Sequence, residues 1–315
     1  MKQGVKITSL GHFVPKEILT NFDIINQGID SSNEWILTRT GIKERRIAAK
    51  NETSTTLALQ ATELAFKSNP FPKTKLDLII VATSTPEFNG FPSTANIIQE
   101  KLGAPTTCAS FDLSAACTGF NYALTTACQY IYSGQASHAL VIGVDCLSKI
   151  TDWNDRNTCI LFGDGAGAAL LTTSSKNHIL DSKLYSDGSL SNILKVTDFI
   201  EMEGQAVFKA ATSKVIAAIQ YFLKENNLSP TDINYFIPHQ ANIRIIKLIQ
   251  EKLGFTDEQT IKNIEKYGNT SAASIPIALS ETYHANQFKA GDLILTAGFG
   301  AGFTWGINLI KWSKI

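Results

Sequence analysis

The sequence has no Cys-x-x-Cys pair: its cysteines, at 108, 117, 128, 146 and 159, are odd in number and scattered. That spacing argues against a disulfide framework and a zinc site, and it points to a reducing compartment, the cytoplasm. The chain also lacks any excess of charge, since 28 basic side chains balance 28 acidic ones. No global field recruits nucleic acid or an anionic membrane, so an anionic partner must be caught by a local basic patch. No apolar run reads as the roughly 18 residues of a membrane span. The first residues, Met1 to Ile7, read as a strand rather than as a signal peptide's apolar core.

What is present is the alternation of an α/β protein, in 315 residues that suffice for one large domain or two halves. Lys6–Leu10 reads as a strand, Thr53–Lys67 as a helix and Leu76–Thr83 as a strand buried on both faces. Thr94–Leu102 then reads as a helix, Cys108–Asp112 as a short strand and Ala139–Val144 as another strand. The second half repeats the order, with a helix from Ala206 to Asn226 and strands at Asp232–Ile237 and Asp292–Leu295. Matching segments recur roughly 150 residues apart, which suggests two copies of one α/β unit. The halves are expected at 1–160 and 161–315, with Ser114–Phe120 answered by Gly268–Ser274. Site residues would then gather at the carboxyl ends of strands.

Cys117 lies where a strand ends and a helix begins, in Leu113-Ser114-Ala115-Ala116-Cys117-Thr118-Gly119-Phe120. Free N–H groups and the positive end of a helix dipole favour a thiolate there. A cysteine accepts an acyl group from a thioester readily and yields a product reactive enough to pass it on. His239, in Pro-His-Gln-Ala-Asn, and Asn269, in Gly-Asn-Thr-Ser-Ala-Ala-Ser, offer two neutral donors. Two such donors on one oxygen would hold the enolate left by a decarboxylation. No acidic residue stands in a comparable turn behind the histidine, which favours carbanion chemistry over activation of water. The Gly300-Ala301-Gly302 turn can bring a backbone N–H near the thioester carbonyl and, with that of Cys117, form an oxyanion hole. Gly163–Ala168 fits a G-x-G-x-x-A dinucleotide fingerprint, yet the residues after it read as a strand. Close backbone packing is the expectation there, with nucleotide binding the alternative.

At this point the chain resembles the β-ketoacyl-acyl carrier protein synthase III family, the condensing enzymes that start bacterial type II fatty acid synthesis. The resemblance runs through Glu34-Trp35-Ile36, Thr38–Ile42, the Cys117 turn, Phe162–Gly167, the His239 and Asn269 segments and Gly302–Gly306. It implies a thiolase-like αβαβα sandwich of two similar halves, a homodimer, and ping-pong chemistry without a cofactor or metal. Acyl-CoA would load Cys117. Malonyl-acyl carrier protein would then lose CO2, with the enolate held by His239 and Asn269. By the same resemblance, Trp35 and Arg156 flank the CoA adenine, and Arg39 and Lys209 contact CoA. Gln240 and Arg244 meet the carrier protein, Phe91 enters the partner subunit's acyl pocket, and the second oxyanion-hole N–H belongs to Ala301.

Three positions depart from the family pattern. Ala301 stands where glycine is common, Glu251 where a basic residue is common, and Ser191–Glu201 is shortened. Primer length, branching and the identity of the carrier stay open. So does a related ketosynthase or acyltransferase of a specialised pathway, and so does a hydrolase passing the same acyl group to water.

Overall fold

The computed structural model describes residues 4–313, so Met1–Gln3 of the expected first strand lie outside the described residues. The strands are β1 (Gly4–Phe13), β2 (Glu17–Thr20), β3 (Glu44–Ile47), β4 (Leu78–Ala82), β5 (Ala109–Leu113), β6 (His138–Cys146) and β7 (Asp164–Ser174). They continue as β8 (Ile179–Ser186), β9 (Leu194–Val196), β10 (Ile200–Met202), β11 (Tyr235–Pro238), β12 (Leu293–Gly300) and β13 (Thr304–Lys311). The helices are α1 (Asn21–Asn26), α2 (Asn33–Thr40), α3 (Ser54–Ser68), α4 (Thr94–Leu102) and α5 (Gly119–Tyr132). After them come α6 (Gly204–Ala210), α7 (Ile216–Glu225), α8 (Ile243–Leu253), α9 (Ile264–Tyr267) and α10 (Ser274–His284).

Two sheets carry the architecture, in the orders β1-β7-β6-β4-β5 and β8-β13-β12-β11, the second read from its other edge. Pairing senses agree as well. β4 runs parallel to β6 as β11 does to β12, and the remaining shared neighbours are antiparallel. The repeat seen in the sequence is therefore a repeat of topology, with β5 the extra strand of the first copy. The expected boundary at 160/161 falls too early. β7 inserts between β1 and β6, so the first unit runs through Ser174.

Strand periodicity explains the layers. In β4, Leu78, Ile80 and Ala82 face a cluster with Phe120, Leu124 and Ile131 of α5 and Ile275 and Leu279 of α10. Ile79 and Val81 face the opposite cluster, with Leu57 and Ala61 of α3 and Ile98 and Leu102 of α4. The second sheet turns Leu295, Ala297, Ile307 and Leu309 toward Ile219 and Phe222 of α7 and Ile249 of α8. The five layers are helix, sheet, helix, sheet, helix. Glycines let the central helices come close: a Cβ on Gly143 would lie 2.2 Å from the Ala272 carbonyl oxygen, and one on Gly167 2.6 Å from Pro276.

Gly163–Ala168 opens β7 rather than a helix, and a Cβ on Gly163 would lie 2.3 Å from the Tyr267 carbonyl oxygen. Close packing, not a phosphate cradle, accounts for those glycines. One helical run, Gly204–Glu225, is long and apolar enough to cross a membrane by length and composition, which the sequence reading did not anticipate. It packs Val215, Ile219 and Phe222 against the second sheet.

Candidate active site

Cys117 sits in a single tight turn, Ala116–Thr118, between β5 and α5. Ala116 holds φ of 46° and Ser271 holds φ of 51°, a left-handed conformation that costs a residue with a side chain. Each begins the turn that leads into a central helix, so Ala116–Thr118 answers Ser271–Ala273. Cys117 is thus equivalent to Ala272, not to the expected Asn269, which lies just before the second turn. The end of β12 closes on the cysteine, since a Cβ on Gly300 would lie 2.6 Å from the Cys117 nitrogen.

Cys117 is buried, at 9% residue exposure. Burial pushes the thiol up to about 12, Ser271 opposes the rise by hydrogen bonding, and the Asp145 carboxylate adds to it. Burial therefore opposes the thiolate that the helix start is expected to favour. Asp145 is itself fully buried and accepts from the N–H groups of Ser84, Thr85 and Ala272. A carboxylate therefore holds the Ser271–Ala273 turn, near enough to act on the Cys117 thiol by its charge.

His239 follows β11, with its N–H on the Ala297 carbonyl at 2.8 Å. Its Nδ1 lies 2.6 Å from Ser274 Oγ, which also accepts the Gln240 N–H at 3.3 Å. With Ser274 Oγ already accepting from Gln240, the serine proton is free to go to Nδ1, and in that tautomer Nε2 carries the ring proton. Burial carries the imidazole down to about 3, so it is neutral. Phe299 meets the ring edge-on, centroids 5.2 Å apart. Asn269 is fixed by its backbone: its N–H donates to Leu161 and its carbonyl accepts from Gly163. Its Oδ1 accepts the Ser271 N–H at 2.9 Å, which turns the amide NH2 to the free side.

These three side chains line one cavity of about 630 Å3, with Phe299 and Gly300 between them. Trp35, Arg39 and Arg244 line its exposed end. Arg156 lies 4.5 Å over the Trp35 ring and Arg39 5.7 Å from it, with Arg156 also 3.9 Å from Asp30. The Arg156 guanidinium thus covers one face of the Trp35 ring. Arg244 is exposed and lies 5.5 Å from the Phe208 ring.

Two expected side-chain contacts change, those of Gln240 and Lys209. Gln240 is 1% exposed, and its amide is spent on the Pro238 and Ile261 carbonyls and the Asn263 N–H, so it cannot dock a carrier. Lys209 is exposed and absent from the cavity wall, which α6 reaches through Gly204, Gln205, Val207 and Phe208. Ala301 is half-buried beside the cavity, and the residue of its turn that lines the wall is Gly300. Phe91 is 91% exposed, ahead of α4. Glu251 is exposed on α8, the helix of Arg244. The shortened segment forms the β9–β10 hairpin, whose Leu194 and Met202 line the cavity. Ser274 and Phe299 went unassigned in the sequence, although Ser274 ends the quoted Asn269 motif.

The family described as 3-oxoacyl-[acyl-carrier-protein (ACP)] synthase III matches residues 111–188, and its C-terminal part matches residues 223–312. The β-ketoacyl-[acyl-carrier-protein] synthase III of Aquifex aeolicus (strain VF5) is 48% identical over 312 residues, covering 98% of this chain and 100% of that protein. A crystal structure of 3-oxoacyl-[acyl-carrier-protein] synthase III from Aquifex aeolicus VF5 superposes with TM-score 0.94 at 47% identity, over 98% and 100% of the two chains. The priming β-ketosynthase of a polyketide biosynthetic pathway also superposes with TM-score 0.94, at 31% identity over 99% and 97%. The chain belongs to the β-ketoacyl-[acyl-carrier-protein] synthase III family, thiolase-like condensing enzymes that work through a cysteine-bound acyl group and initiate fatty acid synthesis.

Proposed function

We propose that this enzyme condenses an acyl-CoA primer with malonyl-acyl carrier protein to give 3-oxoacyl-acyl carrier protein. Cys117 Sγ attacks the primer carbonyl, the bond to the CoA sulfur breaks, and CoA leaves as the thiol with the cysteine proton. The oxyanion is met by the backbone N–H groups of Cys117 and Ala301. Malonyl-acyl carrier protein then loses CO2. The electron pair left on the substrate is held as an enolate by His239 Nε2–H and the Asn269 amide. Its carbon attacks the acyl-cysteine, the carbon–sulfur bond breaks, and the departing sulfur takes up one proton from solvent. A neutral imidazole suits this step because it keeps its proton while charge develops opposite it.

CoA is assigned to Trp35, Arg39 and Arg156, carrier docking to Arg244, and entry into a partner subunit of a homodimer to Phe91. No cofactor takes part, and the enzyme works in the cytoplasm. The single observation that carries the reading is one cavity lined by a buried thiol, a neutral imidazole and an oriented amide. Asn269→Ala tests it. The variant should still take an acetyl group from acetyl-CoA, while decarboxylation of malonyl-carrier falls roughly 100-fold. Equal loss of both half-reactions would remove Asn269 from the enolate. Primers of different length and branching, assayed with malonyl-carrier, separate this activity from that of a priming ketosynthase of a specialised pathway.

A further inference from the structure

Arg45, in β3, is the largest fully buried side chain among the described residues. Among the described residues its guanidinium has no carboxylate partner. Nη1 donates to the Leu19 carbonyl at 3.2 Å and Asn21 Oδ1 at 3.0 Å, Nη2 donates to the Ile160 carbonyl at 2.6 Å, and Nε has no acceptor. Burial lowers the group to about 10, so it remains a cation at neutral pH. An unpaired buried charge is costly, and an apolar side chain of similar volume would serve packing alone better.

What the guanidinium holds is one wall of the cavity. Ile160, Leu161 and Phe162 line it, and the same segment pairs with the Asn269 turn. The Asn269 N–H donates to Leu161 at 2.9 Å, and the Gly163 N–H donates to Asn269 at 3.0 Å. The Arg45 stem lies against both partners, since a Cβ on Gly163 or on Gly268 would come within 3.0 or 3.3 Å of its Cβ. At the other end, Asn21 passes the contact on, donating to the Ile42 carbonyl at 2.8 Å and Asn33 Oδ1 at 3.0 Å. Asn33 begins α2, the helix of Trp35 and Arg39.

We propose that Arg45 is a positioning residue for the decarboxylating half of the reaction, holding the Ile160–Gly163 wall so that the Asn269 amide meets the enolate oxygen. The proposal rests on the reading of Asn269 given above. Only a planar fork with several donors spans acceptors on opposite sides, which a lysine ammonium cannot do. A displacement of about 1 Å at a reacting group costs on the order of 100-fold.

In Arg45→Lys, decarboxylation of malonyl-carrier should therefore fall roughly 10- to 100-fold. Acyl transfer to Cys117 at saturating acetyl-CoA should stay within about threefold. The amides of Gly163 and Asn269 should exchange with deuterium faster, while those of β4 keep their protection. A folded Arg45→Lys enzyme that loses both half-reactions equally, or neither, overturns the proposal. Asn21→Ser shortens one acceptor of the same guanidinium and provides the test if the lysine variant does not fold. It should lose roughly two- to fivefold in decarboxylation alone, and an unchanged ratio of the two half-reactions overturns the proposal. Asn269→Ala runs beside them. Intact decarboxylation in that variant overturns the reading of the site and the proposal with it. A deficit there with none in Arg45→Lys overturns the proposal alone.

Discussion

Ser274→Ala removes the hydroxyl that is hydrogen-bonded to His239 Nδ1. The bond it breaks is 2.6 Å long and joins groups that are 2% and 1% exposed, so bulk water cannot replace it freely. Losing a buried hydrogen bond and stranding its partner costs about 1–3 kcal/mol. Nδ1 is then left without a donor, and the Gln240 N–H loses its 3.3 Å acceptor. The imidazole recovers by moving its proton to Nδ1 or by turning toward the cavity, and in both cases Nε2–H no longer faces the enolate. If that cost falls on the transition state, decarboxylation slows by about 5- to 160-fold. The assay is CO2 release from malonyl-carrier without primer, set beside acetyl transfer to Cys117 followed by peptide mass. Transfer should be little changed, because no proton of His239 is needed to form the thioester. A Ser274→Ala enzyme that decarboxylates at the parent rate, or that loses both steps by one factor, would refute the tautomer argument.

Other outcomes follow from the same geometry. Because burial holds His239 near 3, it is neutral at every pH above that value, and decarboxylation should show no inflection near 6.5; a step there that vanishes in His239→Gln would contradict the assignment. The same shift makes the unfolded chain bind a proton that the native one refuses. Stability should therefore fall as pH drops from 6.5 toward 3, by at most about 1.4 kcal/mol per unit from this group, and a thermal-unfolding series at fixed ionic strength would measure it. Trp35→Ala should raise KM for acetyl-CoA about 5- to 50-fold, the worth of one base–aromatic stack, without slowing decarboxylation of malonyl-carrier; steady-state and single-half-reaction rates separate the two.

Much of the scaffold was legible because burial imposes period and composition on it. Leu78–Ala82 is apolar without a break since helices cover both of its faces, and Thr94–Leu102 is bracketed by a Ser93 cap and the left-handed Gly103. Cys117, His239 and Asn269 stand out in the sequence because each sits in a small-residue turn, and the structure brings all three to one cavity. The errors share a cause. Matching Cys117 with Asn269 followed chemistry, whereas the repeat follows backbone, and the strained φ of Ala116 and Ser271 leaves no mark in side-chain type. Gln240 looked like a surface contact beside a catalytic histidine, but its amide closes three backbone groups. A helix start favours a thiolate, but the sequence does not reveal how little water reaches Cys117. Arg45 reads as one of many charged residues until its acceptors, on three separate segments, come together.

The condensing reaction itself is tested most directly by following one cysteine through a full cycle. The enzyme is incubated with acetyl-CoA, freed of excess primer and digested, and the peptide masses are read before and after addition of malonyl-carrier. One acetyl group on the Cys117 peptide, lost on that addition with formation of 3-oxobutyryl-carrier and CO2, is the predicted result. An acetyl group on Cys108, Cys128, Cys146 or Cys159 instead, or its release as free acetate, would contradict it.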